Sequence, residues 1–384
     1  MGLIGRVSEL LNVERWKVEK AFERGTLQTV RASFPEFAYV RSRRRFAGFE
    51  KGTLIVPDDG VVVPGFPKTE RALMLGPALR DRFGDVEEVV VEEKMNGHNV
   101  RVFELDGEVY AVTRGGLICP YTTHRIRELH GDELLDFLHD HPDVIVCGEF
   151  VGKENPYVSV DYPEASEHGV GFFVFDLMDP KTGDLLPFEE KKTVDGYGLN
   201  RVKVLGRFPP DDPEPFFDVV RELDEDGREG IVIKDPDAEV PPLKYTTHSA
   251  HVEELRWAFR FAFDLGRDFI LTRTIREGFQ ALEWGEDREE LERRAVDVGR
   301  ALIEGMVEGF SSVLEEGEAY EEVEVSFGSR RWLELYSEFV KRVTGGTTTV
   351  EEIGERNGRI VAVVRKRYPS TTDRVSNVSE DGIL

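Results

Sequence analysis

Glu92-Glu93-Lys94-Met95-Asn96-Gly97-His98-Asn99-Val100-Arg101 decides how this chain is read. The stretch lies between two β-type runs, Val86 to Val91 and Val100 to Leu105. Its lysine therefore leaves one strand and enters a turn that contains glycine. A lysine amine attacks a phosphorus or carbonyl centre only when neutral, and free lysine titrates near ~10.4. Burial or nearby cations lower that value and expose the lone pair. Lys234 and Lys244 are the candidate neighbours, and either could also neutralise a phosphate.

Other residues follow in an order that extends this chemistry. Arg114-Gly115-Gly116 comes after the strand-like Val109 to Thr113 and offers a cation where backbone can approach a ligand. Glu149 and Glu229 stand at Gly-flanked strand edges, in Cys147-Gly148-Glu149-Phe150 and Glu229-Gly230-Ile231. Such carboxylates accept a ribose hydroxyl proton or hold a divalent metal through oxygen. Phe172-Phe173-Val174-Phe175-Asp176 supplies an aromatic face for a purine base. A nucleophilic lysine, phosphate cations, metal carboxylates and an aromatic platform together point to nucleotidyl transfer.

The series Lys94-Met95-Asn96-Gly97, Arg114-Gly115, Glu149, Phe175-Asp176, Glu229-Gly230-Ile231-Val232 and Lys244 resembles the covalent nucleotidyltransferases, that is, ATP-dependent ligases and RNA capping enzymes. With Gly152-Lys153-Glu154-Asn155-Pro156-Tyr157 and Lys244-Tyr245-Thr246-Thr247, it looks specifically like the archaeal homodimeric ATP-dependent RNA ligases. The resemblance implies an antiparallel-sheet nucleotidyltransferase core of the ATP-grasp-like ligase type. It implies ATP and Mg²⁺ (or Mn²⁺) as cofactors, and RNA with 5′-phosphate and 3′-hydroxyl ends as partner. Lys94 would be adenylylated, Glu92 would read the adenine amino group, and Asn99 would lie near the phosphate and the RNA end. Arg114 would contact ribose or the RNA 5′-phosphate, and Glu149 the ribose hydroxyl. Phe175 would stack on adenine with Val232 on its other face. Glu229 would help bind the metal, and Lys234 and Lys244 would grip the α-phosphate. Asn96 stands where DNA ligases and capping enzymes usually have aspartate, which favours the RNA-ligase branch. Lys244 is followed by Tyr245 and Thr246 where many relatives have Lys-x-Lys, so Lys234 is expected to compensate.

Composition sets the outer limits. A chain of 384 residues has room for two to four domains and an ample core. Its net charge of −25 is unusual for a protein that handles nucleic acid. The acidity is uneven: Met1 to Lys51 is net positive, and Asp211 to Glu239 is strongly negative. RNA is therefore expected on local cationic surface such as Arg41-Ser42-Arg43-Arg44-Arg45, although such a run is as often a solvated surface strand. Arginine in excess over lysine, with strong acidity, suggests a hot or high-salt interior. Cys119 and Cys147 give no disulfide or metal framework, and Cys147 sits in an apolar run expected to be core. No apolar run approaches a membrane span and the N-terminus lacks a signal-peptide pattern, so a cytoplasmic setting with ATP is expected.

Texture divides the chain into 1–65, an N-terminal unit; 66–247, a strand-rich core; 248–316, a helical unit; and 317–384, a C-terminal unit, and the resemblance implies that the second is the adenylyltransferase domain and the third a dimerisation domain. The first is helix-like from Val7 to Arg24, then strand-like, ending before Pro64-Gly65-Phe66-Pro67. The core is strand-rich: Val100 to Leu105 and Glu108 to Thr113 flank an Asp106-Gly107 turn, and Val144–Val151, Gly169–Leu177, Arg201–Phe208 and Gly230–Lys234 follow. A helix over Glu128 to His139 interrupts them. The overall class is α+β with an antiparallel sheet. Helical texture from His248, crowded by Trp257, Phe259, Phe261 and Phe263, suggests burial on more than one side, either in ordinary intrachain core or against another subunit; the homodimer is chiefly what the resemblance implies. The end shows a strand-like Ile360–Val364 before a polar tail. His248 and His251 stand at i, i+3, but with no third ligand evident they are not assigned a metal, and His98 is given no role.

The alternatives are a DNA ligase or capping enzyme, separable by nucleotide and polynucleotide choice, and a non-catalytic RNA-end binding protein. The intact Lys94, Glu229 and Lys244 argue against the last. A hydrolase using Glu149 and Glu229 leaves the lysines and Phe175 unexplained.

Overall fold

The computed structural model describes residues 2–383. At the N-terminus the expected single helix is two, α1 (Leu3–Leu10) and α2 (Arg15–Glu23). Asn12 separates them at φ 49°, a left-handed conformation that asparagine tolerates better than most residues. Strands β1 (Leu27–Val30), β2 (Tyr39–Ser42), β3 (Leu54–Val56) and β4 (Val61–Val63) form an antiparallel sheet in that order. Val7, Val18, Ala21, Leu27, Val40 and Ile55 fill the space between helices and sheet.

The central segment contains two sheets that face each other. In chain order it runs β5 (Glu70–Arg71), α3 (Leu75–Phe83), β6 (Val89–Glu93), β7 (His98–Leu105), β8 (Glu108–Thr113), α4 (Pro120–Asp140), β9 (Ile145–Val151), β10 (Gly171–Met178), α5 (Phe188–Lys191), β11 (Val204–Phe208), α6 (Glu214–Glu225), β12 (Gly230–Lys234) and β13 (Leu243–Thr246). One sheet has the order β11-β6-β12-β13-β5, antiparallel except for the short parallel β13–β5 pair; the other is β10-β9-β7-β8, antiparallel throughout. Side chains alternate across a strand with period two. In the first sheet Val89, Val91, Ile231, Ile233, Leu243 and Tyr245 turn toward α3 and α6. In the second, Val100, Val102, Val146, Phe150, Phe172 and Val174 turn toward α4. On the other face of the second sheet, Phe103, Leu105, Val112, Ile145 and Cys147 pack against Tyr39, Leu54 and Val63 of the N-terminal sheet, and the remaining residues of both sheets line the space between them.

Sequence periodicity alone misjudged some helices. α6 lies in the most acidic stretch of the chain, where charge masks the apolar stripe of Phe216, Phe217, Val220 and Leu223. α4 begins at Pro120, well before Glu128, because Pro120 suits a first helical turn and the Cys119 sulfur accepts the Thr122 N–H. Both cysteines are buried and unpaired.

Beyond β13 come α7 (His248–Arg260), α8 (Arg267–Glu283), α9 (Arg288–Glu316), β14 (Tyr320–Phe327), α10 (Arg330–Thr344), β15 (Thr348–Arg356), β16 (Arg359–Arg367) and α11 (Pro369–Asp381). The polar tail expected after Val364 is thus a helix. α7 and α9 pack at very short range: a Cβ on Gly309 would lie 2.0 Å from Arg260 O, so only glycine fits. Part of the aromatic cluster packs within the chain. Phe261 stacks on Tyr368, and Trp257 Nε1 donates to Glu321. The sheet β14-β16-β15 does not enclose a core of its own. Val325, Phe327, Tyr336, Phe339, Ala362 and Val364 join Tyr121, Ile126 and the α4 face of the second central sheet in one cluster. Arg125 donates to Ser326 Oγ at 2.9 Å, and Arg359 pairs with Glu128 at 2.8 Å across the same junction.

Candidate active site

The two central sheets enclose an open cleft of about 360 Å³. Lys94, Glu92, Asn99, Arg114, Glu149, Phe175, Glu229, Val232, Lys234 and Lys244 all line it. Register explains the convergence. Glu92, Val232, Lys244 and Arg71 are successive partners across β6, β12, β13 and β5, so they form one row on the cleft side. On the facing sheet Asn99 pairs with Glu149. Near the end of β10 a bulge inserts Phe175 between Val174 and Asp176. An extra residue re-aims the side chains around it, and both Phe175 and Asp176 reach the cleft.

Lys94 follows β6 directly. Its N–H donates to Gly230 O at 2.8 Å, and its Nζ lies 2.5 Å from Glu229 Oε1. Gly230 has φ +144°, and a Cβ there would meet Tyr245 O at 2.2 Å, so glycine is required beside Glu229. Gly97 is equally tight against Phe150 O. The turn that carries Lys94 is closed further by Asn96, whose N–H donates to Tyr162 Oη at 2.6 Å.

At the other end of the row Glu92 is almost fully buried, and Lys191 and Lys234 both pair with it, Lys234 at 2.7 Å. Lys234 also donates to Asp176 Oδ1 at 2.7 Å and Phe175 O at 2.6 Å. Lys234 is thus engaged by Glu92, Asp176 and Phe175 while it also lines the cleft. Burial opposes the charge on Glu92, yet the two lysines hold its carboxyl below the usual range. The sequence gives no hint of Lys191, which looks like half of a surface Lys191-Lys192 pair.

Burial raises Glu149 to about 8, against the pull of Lys94. Burial and then Arg71, Lys94 and Arg114 lower Lys244 to about 8. Asn99 Oδ1 and Glu229 Oε2 are buried without a hydrogen-bond partner among the described residues. Bare oxygens of this kind suit a hard cation or a hydroxyl-bearing ligand. Among the described residues no three His, Cys, Asp or Glu side chains gather as a metal site. Glu229 with Asn99 therefore fits a cation that is completed by substrate oxygens and water, as is usual for Mg²⁺. His98 is sandwiched by Asn155 and Thr122, and burial lowers it to about 3, so it braces the turn as a neutral ring. His248 and His251 both pair with Glu277.

Arg114 is placed by the N-terminal segment. A Cβ on Gly52 would overlap Arg114 O at 2.1 Å, and Arg101, buried, donates to Gly52 O at 3.0 Å and Thr113 O at 2.6 Å. Arg41 Nη1 donates to Gly115 O at 3.4 Å. The exposed Arg43, Arg44 and Arg45 follow at once.

Comparison with known proteins agrees with this geometry. Residues 87–246 match the model of the RNA ligase family, and residues 257–381 match that of the Pab1020 ligase C-terminal region. An uncharacterized protein of Methanocaldococcus jannaschii is 37% identical over 380 residues, which is 97% of this chain and 94% of that protein. An archaeal ATP-dependent RNA ligase is 38% identical, with a TM-score of 0.91 over 100% of both chains. A chain from Aquifex aeolicus described as an ATP-dependent DNA ligase is 26% identical, with a TM-score of 0.85 over 97% of this chain and 100% of that one.

Proposed function

Because the chain belongs to the family of archaeal ATP-dependent RNA ligases, we propose that it joins RNA 5′-phosphate and 3′-hydroxyl ends, between molecules or within one, through a lysyl–AMP and an adenylylated RNA. The observation that carries this reading is Lys94 Nζ at 2.5 Å from Glu229, in a cleft lined by every other residue the chemistry requires.

Lys94 attacks the α-phosphorus of ATP. Its proton passes to Glu229, the carboxylate in contact with it. Glu92, kept anionic by Lys191 and Lys234, accepts from the adenine amino group. Phe175 and Val232 cover the faces of the base. Glu149, protonated near neutral pH, shares a proton with the ribose hydroxyls. Lys244 and Arg114 neutralise phosphate charge as it develops. A divalent ion, Mg²⁺ or Mn²⁺, held by Glu229 and Asn99 would add Lewis-acid stabilisation of the phosphate. The AMP then moves to an RNA 5′-phosphate, and a 3′-hydroxyl displaces it. Arg43, Arg44 and Arg45, beside the Arg114 loop, offer RNA a cationic approach to an otherwise acidic molecule.

Assembly and setting belong to the same reading. Leu271, Ile275, Phe279 and Leu282 on α8, and Ile303, Val307 and Leu314 on α9, are exposed at helical spacing. Such a stripe favours a second copy of the chain, so the helical unit is the dimer contact. Among the described residues no helix is long and apolar enough to cross a membrane, and use of ATP suits a cytoplasmic setting.

The direct test is incubation with ATP labelled at the α-phosphate, followed by denaturing electrophoresis. The parent protein takes the label, and Lys94→Ala takes none but still seals RNA that is already adenylylated. A folded parent that stays unlabelled after stripping with pyrophosphate would refute nucleotidyl transfer and leave RNA-end binding. Sealing of nicked DNA in preference to RNA would point to the DNA-ligase alternative.

A further inference from the structure

One group of charges runs against the character of the molecule. The chain is strongly acidic, yet Arg71, Arg273 and Arg276 gather near Glu254 beside the β13–β5 edge of the first central sheet. Arg273 Nε lies 2.7 Å and Arg276 Nη1 3.4 Å from Glu254 Oε2. Arg71 Nη1 donates to Thr246 Oγ1 at 2.6 Å. Arg276 is only 9% exposed, and its buried Nε has no hydrogen-bond partner among the described residues. Burial and then the charge of Arg71 lower Arg276 to about 10; burial also lowers Arg71.

The plainest account is structural: Glu254 and its arginines tie α7 to α8. That account explains Arg273, which pairs well. It does not explain why Arg71 is held close enough to Arg276 to lower it, nor a donor left bare. Buried like charges are costly unless something neutralises them, so the arrangement is made for an anion.

Position identifies the anion. Arg71 is the register partner of Lys244, and the row Glu92, Val232, Lys244, Arg71 crosses neighbouring strands at about 4.8 Å each. With the base at Glu92 and the α-phosphate between Lys94 and Lys244, the next station outward is Arg71. Arg71 and Arg276 both lie within electrostatic reach of Glu229, the partner of Lys94.

We propose that Arg71, Arg276 and Arg273 form the seat of the leaving group, holding the β- and γ-phosphates of ATP and then free pyrophosphate. The proposal rests on the ligase reading above and adds to it a role for α8, which becomes part of the active site. As the bond from Lys94 Nζ to the α-phosphorus forms, the bond to the bridging oxygen breaks and its electron pair leaves with pyrophosphate. The lysine proton goes to Glu229. Guanidiniums fixed ahead of the reaction meet that charge as it appears, and their planar forks match phosphate oxygens in pairs.

The experiment compares the full-length parent with Arg276→Gln, Arg276→Lys and Arg71→Gln. Three quantities are read: KM for ATP in self-labelling, removal of the label by inorganic pyrophosphate, and sealing of pre-adenylylated RNA. Both glutamine variants should raise KM for ATP and slow label removal by tenfold or more, a defect at least tenfold larger than any in sealing. Arg276→Lys should recover part of the loss. Unchanged KM and label removal in both glutamine variants, with melting temperatures near the parent's, overturn the proposal. So does a loss confined to sealing, which would make the cluster an RNA phosphate site. Should Arg276→Gln unfold, Arg71→Gln, on a separate strand, still decides. A parent that takes no label would sink the ligase reading alone; calorimetric binding of inorganic pyrophosphate to parent and Arg71→Gln would then test the cluster independently.

Discussion

Two side chains give the cleft its own pH response. Lys244, lowered to about 8, is cationic below that pH and neutral above it. Glu149, raised to about 8, is protonated below and anionic above. Both changes remove positive charge from the phosphate site as pH rises. kcat/KM for ATP, which reports the free enzyme, should therefore fall above pH 8, by about tenfold per unit if Lys244 dominates. In Lys244→Arg the fall should disappear or shift upward, and a profile of self-labelling rates against pH checks this. An unaltered alkaline limb would transfer the effect to Glu149. At this scale the sequence was informative: the residues chosen for their types and order all line one cleft. The residues it hid were those whose meaning is a partner far along the chain. Lys191 reaches Glu92 across a separation of 99 positions, and Arg71 matters only because β5 runs beside β13. Removing Lys191 would leave two buried carboxylates, Glu92 and Asp176, facing Lys234 alone. Lys191→Met should lower stability by about 3–5 kcal/mol, read by chemical denaturation; a loss below about 1 kcal/mol would show the cluster relaxes without it.

Among the elements, strands were easier to read than helices. The spans Glu108–Thr113 and Gly230–Lys234 appear in the structure at their expected limits. The β-branched and aromatic residues of the central strands mark them as strands whether the second face meets the cleft or, as at Phe103 and Val112, the N-terminal sheet. α3, α6, α10 and α11 were missed, since charged and polar residues interleave with their apolar stripes. Two local devices hold the site on these elements: the bulge at Phe175 and the backbone contact at Gly230. Gly230→Ala forces a Cβ against Tyr245 O and strains β12 away from β13. We expect a cost of about 2–3 kcal/mol and loss of self-labelling through displaced Glu229. A Gly230→Ala protein with parental melting and labelling would contradict this. The helical unit has a device of its own. Glu277, between His248, His251 and Arg294, is held down to about 2 by its hydrogen bonds to the histidines despite burial. A depressed carboxyl stabilises the fold above its unfolded value near 4.5, and that contribution is lost as pH falls toward 2. Helical circular dichroism should therefore show an acid transition in this window that Glu277→Gln lacks.

For the whole molecule, the exposed apolar stripe on α8 and α9 makes association the expected state. Val307→Glu, at an exposed position on α9, should shift sedimentation from dimer to monomer while helical circular dichroism stays at the parent's level, with melting lowered only by the lost association. A parent that sediments as a monomer at micromolar concentration would remove the dimer from the account. Because α8 also carries Arg273 and Arg276, monomeric variants should be assayed for ATP binding as well.

The core shared by α4, the second central sheet and the C-terminal strands bears on how the protein is made. Protein synthesis delivers the nucleophile early, at residue 94 of 384. The hydrophobic wall behind the facing sheet, which carries Asn99 and Glu149, is completed only when Ala362 and Val364 have been added. A ribosome-bound chain that ends before β16 should thus expose that wall and resist neither protease nor chaperone, whereas one released at full length should close at once. Pulse proteolysis of stalled chains of graded length would show protection arriving in a single late step. Gradual protection from about residue 250 onward would contradict it. A cell that makes this enzyme would be guarded from half-made, self-adenylylating fragments by the order of translation itself.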